Sequence, residues 1–253
     1  MAAAQDTQTV VSDKYDAWLF DLDGIITDTA SVHASAWKRM FDEYLQKVAE
    51  REDAPYEPFE IDPDYVRYVD GKPRYDGVDS FLRSRGMELE WGDPSDTPDM
   101  ETVCGLGNRK NDMFNDVLKD EGAVVFDSSV KLVKALKKQG KHVAIVTSSK
   151  NCDAVLEVAG LTGLFEAKVD GNVAAERKLA GKPDPHTYLE AAKLVGASIE
   201  RSVVLEDAIS GVEAGKAGKF GLVIGVARHD EPEALKKAGA DIVVSDLSEI
   251  DLT

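Results

Sequence analysis

Short apolar runs recur along the chain at residues 17–20, 142–146, 202–205, 221–226 and 241–244. Most are rich in Val and Ile and alternate little with polar residues, the pattern of parallel strands covered on both faces. Segments of helical period lie between them. Val130, Leu132, Val133 and Leu136 form one apolar face, which Gly140 ends; Tyr188, Leu189, Ala192 and Val195 form another, which Gly196 ends. Strand alternating with helix from about residue 126 onward predicts an α/β fold, a doubly wound, Rossmann-like parallel sheet.

Residues 31–122 break that alternation. They hold helical patches at 33–48, 79–85 and 109–119, joined by acidic, proline-containing links at 52–55 and 92–96. This pattern predicts a helical cap domain inserted after the first strand of a core made of residues 1–30 and 123–253. An insertion at that point reads either as a lid over the sheet edge that carries Asp21 or as a passive second domain. The polar residues 1–14 are expected to be a loose leader.

Composition narrows the classes of partner. Of 253 residues, 43% are hydrophobic, enough for a proper core. Acids outnumber bases by 47 to 30, a net charge of −17 that repels nucleic-acid phosphates and anionic membrane surfaces. A small anion fits only where a local cluster of lysine, arginine and metal overrides that field. No apolar stretch approaches the roughly 18 residues of a membrane span. The first residues lack the basic and apolar regions of a signal peptide, so the cytoplasm is expected. Cys104 and Cys152 lie far apart without metal-ligand spacing and read as reduced thiols. Oligomeric state is not legible in the sequence, and a monomer is the expectation.

The polar residues that end the strands carry the chemistry. The first run stops at Asp21-Leu22-Asp23-Gly24. Residues two apart on a strand project the same way, so both carboxylates are expected at its carboxyl end, where open α/β sheets bind ligands. Crowded carboxylates need a cation or a proton, and Mg2+ is the simplest answer. An ordinary Asp-x-Asp-Gly turn would have the same letters. The run ending at Val146 delivers Thr147-Ser148-Ser149-Lys150-Asn151, the run ending at Leu205 delivers Glu206-Asp207, and Gly181-Lys182-Pro183 lies between them. Singly these suit a helix cap, a solvated face and a turn. Together, in this order, they describe a site for phosphoryl transfer. Asp21 can attack phosphorus, and Asp23 can protonate the leaving oxygen and later deprotonate the incoming one. The expected metal-ligand set is Asp21, Asp23 (through a nearby backbone carbonyl), Glu206 and Asp207. Lys182 can neutralise the nucleophile, and Thr147 can donate to the phosphoryl group.

The set Asp21-Leu22-Asp23-Gly24, Thr147, Lys182-Pro183 and Glu206-Asp207 resembles the four motifs of the haloacid dehalogenase superfamily, spread over most of the chain. Within it, Asp28-Thr29-Ala30 with His33 and Trp37, Gly71-Lys72-Pro73-Arg74, Arg109-Lys110-Asn111-Asp112 and Ser149-Lys150-Asn151 resemble its β-phosphoglucomutase-like subfamily. The resemblance implies substrate contacts at Thr29, His33, Trp37, Gly71, Lys72, Arg74, Lys110, Ser148, Ser149, Lys150 and Asn151, with Arg74 on the phosphate that is not transferred. It implies a small phosphorylated sugar as substrate. It also implies transfer between the 1- and 6-positions of glucose through an aspartyl-phosphate, with glucose 1,6-bisphosphate as primer. A phosphatase on the same scaffold is the alternative. Dehalogenation would leave Asp23 idle, and a phosphorylated signalling receiver has no use for so long an insertion. Thr147 stands where serine is expected, and the cap is long around residues 46–63 and 87–106. Without the resemblance, His33 and Trp37 are equally packing residues and Arg74 a surface base.

Overall fold

The computed structural model describes residues 7–69, 72, 74–228 and 232–253. Its first strands are β1 (Gln8–Val10), β2 (Ala17–Phe20) and β3 (Thr27–Asp28). Helices α1 (Ala30–Glu52), α2 (Arg74–Ser84) and α3 (Val103–Glu121) follow, with a kinked helical segment, Ile61–Val69, after α1. Next come β4 (Val124–Val125), α4 (Asp127–Lys138), β5 (His142–Val146), α5 (Cys152–Val158), β6 (Ala167–Val169) and α6 (Gly171–Glu176). The chain ends with α7 (His186–Leu194), β7 (Ser202–Glu206), α8 (Ile209–Ala217), β8 (Leu222–Val226), α9 (Pro232–Ala238), β9 (Ile242–Val244) and β10 (Ile250–Leu252).

Two compact units result, one of residues 1–28 and 123–253, the other of residues 29–122. The first holds a parallel sheet in the order β6-β5-β2-β7-β8-β9. Every residue of β2, β7 and β8 is buried, as continuous apolar runs in a doubly covered sheet require. Ala17, Leu19, Ala144, Val146 and Val204 share a core layer with Tyr188 and Ala192 of α7 and Val212 of α8. Because β2, β5 and β7 are parallel neighbours, their carboxyl ends open on one edge, and the polar residues that follow each strand are delivered there.

Two departures from the sequence reading concern the ends and the edge of the first unit. The leader is not loose from residue 8 on: β1 pairs in parallel with β10, Gln8 opposite Ile250, and Val10 and Ser12 are buried. Its partner strand lies at the far end of the chain, where a local pattern cannot reveal it. β6 was not expected either, because Ala167-Lys168-Val169 is short and carries a lysine; it is tolerated as an edge strand.

The second unit is helical. Buried Val32, Trp37, Met40, Phe41, Tyr44, Leu45 and Val48 form the apolar stripe of α1. Phe41 lies at its centre, with ring centroids 5.3 Å from Trp37, 5.1 Å from Phe59 and 4.2 Å from Phe81. Such pairs are each worth about 0.5–1.5 kcal/mol beyond their burial. α3 begins earlier than its period suggests because Thr102 caps it, accepting from Gly105 N at 2.9 Å. No helix among the described residues is long and apolar enough to cross a membrane.

Candidate active site

Asp21 follows β2 directly and continues its pairing, its N–H donating to Leu205 O at 3.0 Å. The side chain is buried at 6% exposure. Lys182 comes from the loop before α7, and its Nζ bonds both Asp21 Oδ1 and Glu206 Oε1. It also donates to Val146 O at 3.3 Å, which ties it to the end of β5, and lies 5.2 Å from the Tyr188 ring centroid. Burial works against this ammonium, but Asp21 and Glu206 outweigh it and hold Lys182 above the ordinary lysine range. Removing one partner from such a buried pair typically costs about 3–5 kcal/mol.

Glu206 is the most enclosed acid of this group, at 1% exposure. Its Oε1 also accepts from Tyr188 Oη at 2.9 Å, and its Oε2 accepts from Ala208 N at 3.1 Å. Gly211 allows this packing, since a Cβ there would stand 1.8 Å from Glu206 Oε1. Glu206 is therefore spent on anchoring Lys182, while Asp207 extends the carboxylate group outward. Asp21, Glu206 and Asp207 each offer an oxygen within 4.8 Å of the others. Burial and the Glu206 carboxylate push Asp207 up to about 7. Asp21 is held well above its ordinary value by burial and by Glu206, Asp23 and Asp207, against the pull of Lys182. Oxygen donors that resist ionisation together fit a divalent cation such as Mg2+, which reverses that push. The Asp23 carboxylate lies outside this group of three, although its charge is felt at both Asp21 and Asp207.

Asp23 sits in a tight turn. Gly24, at φ +82°, donates to Thr27 O at 2.7 Å, and a Cβ on it would stand 1.8 Å from Asp207 Oδ2. Only glycine suits both the left-handed backbone and that approach. Beyond β5, Thr147 is 3% exposed and its Oγ1 accepts from Ser149 N at 3.0 Å, while Ser149 Oγ accepts from Asn151 N at 3.1 Å. These turns shape residues 147–151 and leave the Thr147 hydroxyl proton to donate elsewhere. Ser149 O accepts from Gly171 N at 3.0 Å, Lys150 O accepts from Asn172 Nδ2 at 2.9 Å, and the Ser148 and Lys150 side chains are exposed.

The second unit gathers most of the other expected residues. Lys110, 4% exposed, donates from Nζ to His33 Nδ1 at 2.8 Å and lies about 5 Å from the Trp37 and Phe114 ring centroids, at 5.1 and 5.0 Å. Burial, then Lys110 and Arg74, push His33 well below its ordinary value, so the ring is neutral and can accept. Trp37 is buried in the aromatic core. Arg74 Nη2 donates to Asn111 Oδ1 at 2.8 Å, and burial lowers the guanidinium. Thr29 precedes α1, its carbonyl accepting from His33 N at 2.9 Å. Lys72 stands apart, exposed and bonded to Ser80 Oγ at 2.6 Å; Gly71 lies outside the described residues.

Sequence reasoning missed Tyr188, which it read only as part of an apolar helix face. A tyrosine one turn into a helix that follows a lysine loop was the available signal. It also missed Arg228, a cation just beyond the end of β8.

Fold and site together define a class: a doubly wound α/β enzyme with carboxylates and one buried ammonium at the carboxyl edge of its sheet. The family model of haloacid dehalogenase-like hydrolases matches residues 15–219. A protein of Mycobacterium tuberculosis named β-phosphoglucomutase is 48% identical over 94% of this chain and 92% of its own. A Thermotoga maritima protein named phosphorylated carbohydrates phosphatase is 27% identical over 90% of this chain and 94% of its own. Among solved structures, β-phosphoglucomutase from Clostridium difficile shares the fold, with a TM-score of 0.71 at 24% identity over 93% of this chain and 92% of that one. The chain belongs to the haloacid dehalogenase superfamily, in its β-phosphoglucomutase-like subfamily. Its activity is of the phosphotransferase or phosphatase type of that superfamily.

Proposed function

We propose that the protein is a β-phosphoglucomutase, interconverting β-glucose 1-phosphate and glucose 6-phosphate. The observation that carries the reading is the buried Asp21 carboxylate, paired with Lys182 and grouped with Glu206 and Asp207. Likeness to a mutase over nearly the whole chain supports the substrate. Asp21 attacks phosphorus while Lys182 offsets the charge of nucleophile and phosphoryl group. Asp23 gives a proton to the departing sugar oxygen, and Thr147 donates to a phosphoryl oxygen. Asp21 is first loaded in this way from the glucose 1,6-bisphosphate primer; the 6-hydroxyl of β-glucose 1-phosphate then attacks the aspartyl-phosphate, Asp23 takes its proton and the Asp21 carboxylate leaves as glucose 1,6-bisphosphate forms, from which Asp21 removes the 1-phosphoryl group to release glucose 6-phosphate. Mg2+ held by Asp21 and Asp207, with Glu206 behind them, would neutralise the crowded charge and polarise the phosphoryl group.

A mutase must hold a second phosphate. Arg74 takes that role in this reading, because its guanidinium is half-buried and bonded to a neutral amide, and a fork of donors suits a phosphate. The further substrate contacts of this reading are Thr29, His33, Trp37, Gly71, Lys72, Lys110, Ser148, Ser149, Lys150 and Asn151. Sugar-phosphate hydrolysis is the second reading, favoured by the Thermotoga relative. Product analysis separates them. With β-glucose 1-phosphate, Mg2+ and a trace of glucose 1,6-bisphosphate, the mutase reading expects glucose 6-phosphate and little inorganic phosphate; stoichiometric phosphate release overturns it.

A further inference from the structure

Three consecutive carbonyls of the turn after Asp23 are held by side chains and backbone that take no part in the carboxylate group. Arg228 Nε donates to Gly24 O at 2.8 Å, Ser129 Oγ to Ile25 O at 2.5 Å, and Phe126 N to Ile26 O at 3.0 Å. Arg228 follows β8, and only 12% of its side chain is exposed. Its guanidinium carbon lies 3.8 Å from the Phe126 ring centroid, and Nη1 donates to Asp246 Oδ2 at 3.0 Å. Asp246 is fixed in turn, accepting from Ser128 Oγ and from Ser248 N, each at 2.8 Å. One planar fork thus ties the Gly24 carbonyl to an immobilised carboxylate.

Gly24 is caught between two supports. Its α-carbon abuts Asp207, and its carbonyl is drawn to Arg228. Asp23 is the preceding residue, so the position of its carboxylate depends on where this peptide stands. We propose that Arg228 is a positioning residue that, through Gly24, sets Asp23 in place for proton transfer; this rests on the acid–base role given to Asp23 above. Arg228 itself touches no reacting atom. Lysine cannot replace it fully, because a single ammonium cannot serve Gly24 O and Asp246 in the same fork geometry.

The test is a cycle of Arg228→Gln and Asp23→Asn, alone and combined, with Arg228→Lys as the milder variant should Gln prevent folding. Turnover is measured on a sugar phosphate and on an aryl phosphate, whose leaving group needs little protonation. In Arg228→Gln, kcat on the sugar phosphate should fall about 10- to 100-fold with KM nearly unchanged, as for a catalytic group misplaced by a fraction of an ångström. The aryl phosphate should suffer less. Arg228→Lys should recover part of the loss, and Arg228→Gln should add little once Asp23 is Asn. Equal losses on both substrates, or effects that multiply with Asp23→Asn, overturn the positioning role alone. Undiminished sugar-phosphate turnover in Asp23→Asn overturns the acid–base reading and the positioning role with it.

Discussion

Replacing Gly24 with alanine tests the carboxylate group through a single methyl. The added Cβ would lie 1.8 Å from Asp207 Oδ2, and ordinary contact begins at 3.4 Å, so the carboxylate must retreat by about 1.6 Å. The backbone, at φ +82°, adds a cost of about 1–2 kcal/mol for a non-glycine residue. That corresponds to a fall in Tm of roughly 2–8 °C for a chain of this size. The displaced Asp207 leaves a set of oxygens that lie within 4.8 Å of one another. A misplacement of about 1 Å can cost about 100-fold in rate, so kcat/KM should fall by at least that order. Half-saturation by Mg2+ should move to higher concentration, and the stabilisation of the wild type by Mg2+, about 2.7 kcal/mol at 100 times Kd, should weaken. Gly140→Ala is the control: its φ is +73° but its Cβ would meet nothing within 4 Å. It should lose comparable stability and keep both activity and Mg2+ response. Paired melting curves and Mg2+ titrations of rate decide the matter. A Gly24→Ala enzyme with wild-type rate and Mg2+ response would refute the geometry, as would an equal loss of activity in Gly140→Ala.

Two further substitutions address the second phosphate and the support of the turn. Arg74→Ala should lower mutase kcat/KM roughly 10- to 200-fold, the range expected from losing a charge-assisted bond of about 1.5–3 kcal/mol. It should leave acetyl phosphate hydrolysis nearly intact; equal losses in the two assays would remove Arg74 from the second phosphate site. Burial works to raise Asp246, but bonds from Ser248, Arg228 and Ser128 outweigh it and hold this carboxyl well below the usual range. A depressed folded-state value adds stability above the unfolded value of about 3.9 that fades as pH falls below it. Asp246→Asn should therefore destabilise by about 1 kcal/mol at neutral pH, the size that solvent screening leaves to a partly exposed ion pair, and by progressively less below about pH 4; urea unfolding at neutral pH and below about pH 4 checks this, and a gap independent of pH would refute it.

Five of the six strands of the sheet were legible because each is a buried run whose apolar pattern is set by its own two faces. The same pattern named Asp21, Thr147 and Glu206-Asp207, since Asp21 and Thr147 are the first residues after β2 and β5 and Glu206-Asp207 stand at the end of β7. Lys182 was legible only in their company; its Nζ enters the group from a loop, and no local period marks it. β1 escaped because its partner strand is at the far end of the chain, β6 because it is short and carries a lysine, and Arg228 because what defines it is the carbonyl of Gly24, 204 positions away. Trp37 was legible as a packing residue of an apolar helix face, and its ring is buried against Phe41.

Transfer through Asp21 requires that this carboxylate carry a phosphoryl group during turnover. The measurement is to quench the enzyme in acid during turnover of β-glucose 1-phosphate with Mg2+, reduce with borohydride and map the peptides. An aspartyl-phosphate at position 21 should be read out as homoserine there, absent without substrate and absent in Asp21→Asn. Homoserine at another aspartate, or full turnover by Asp21→Asn with no modified residue, would contradict it.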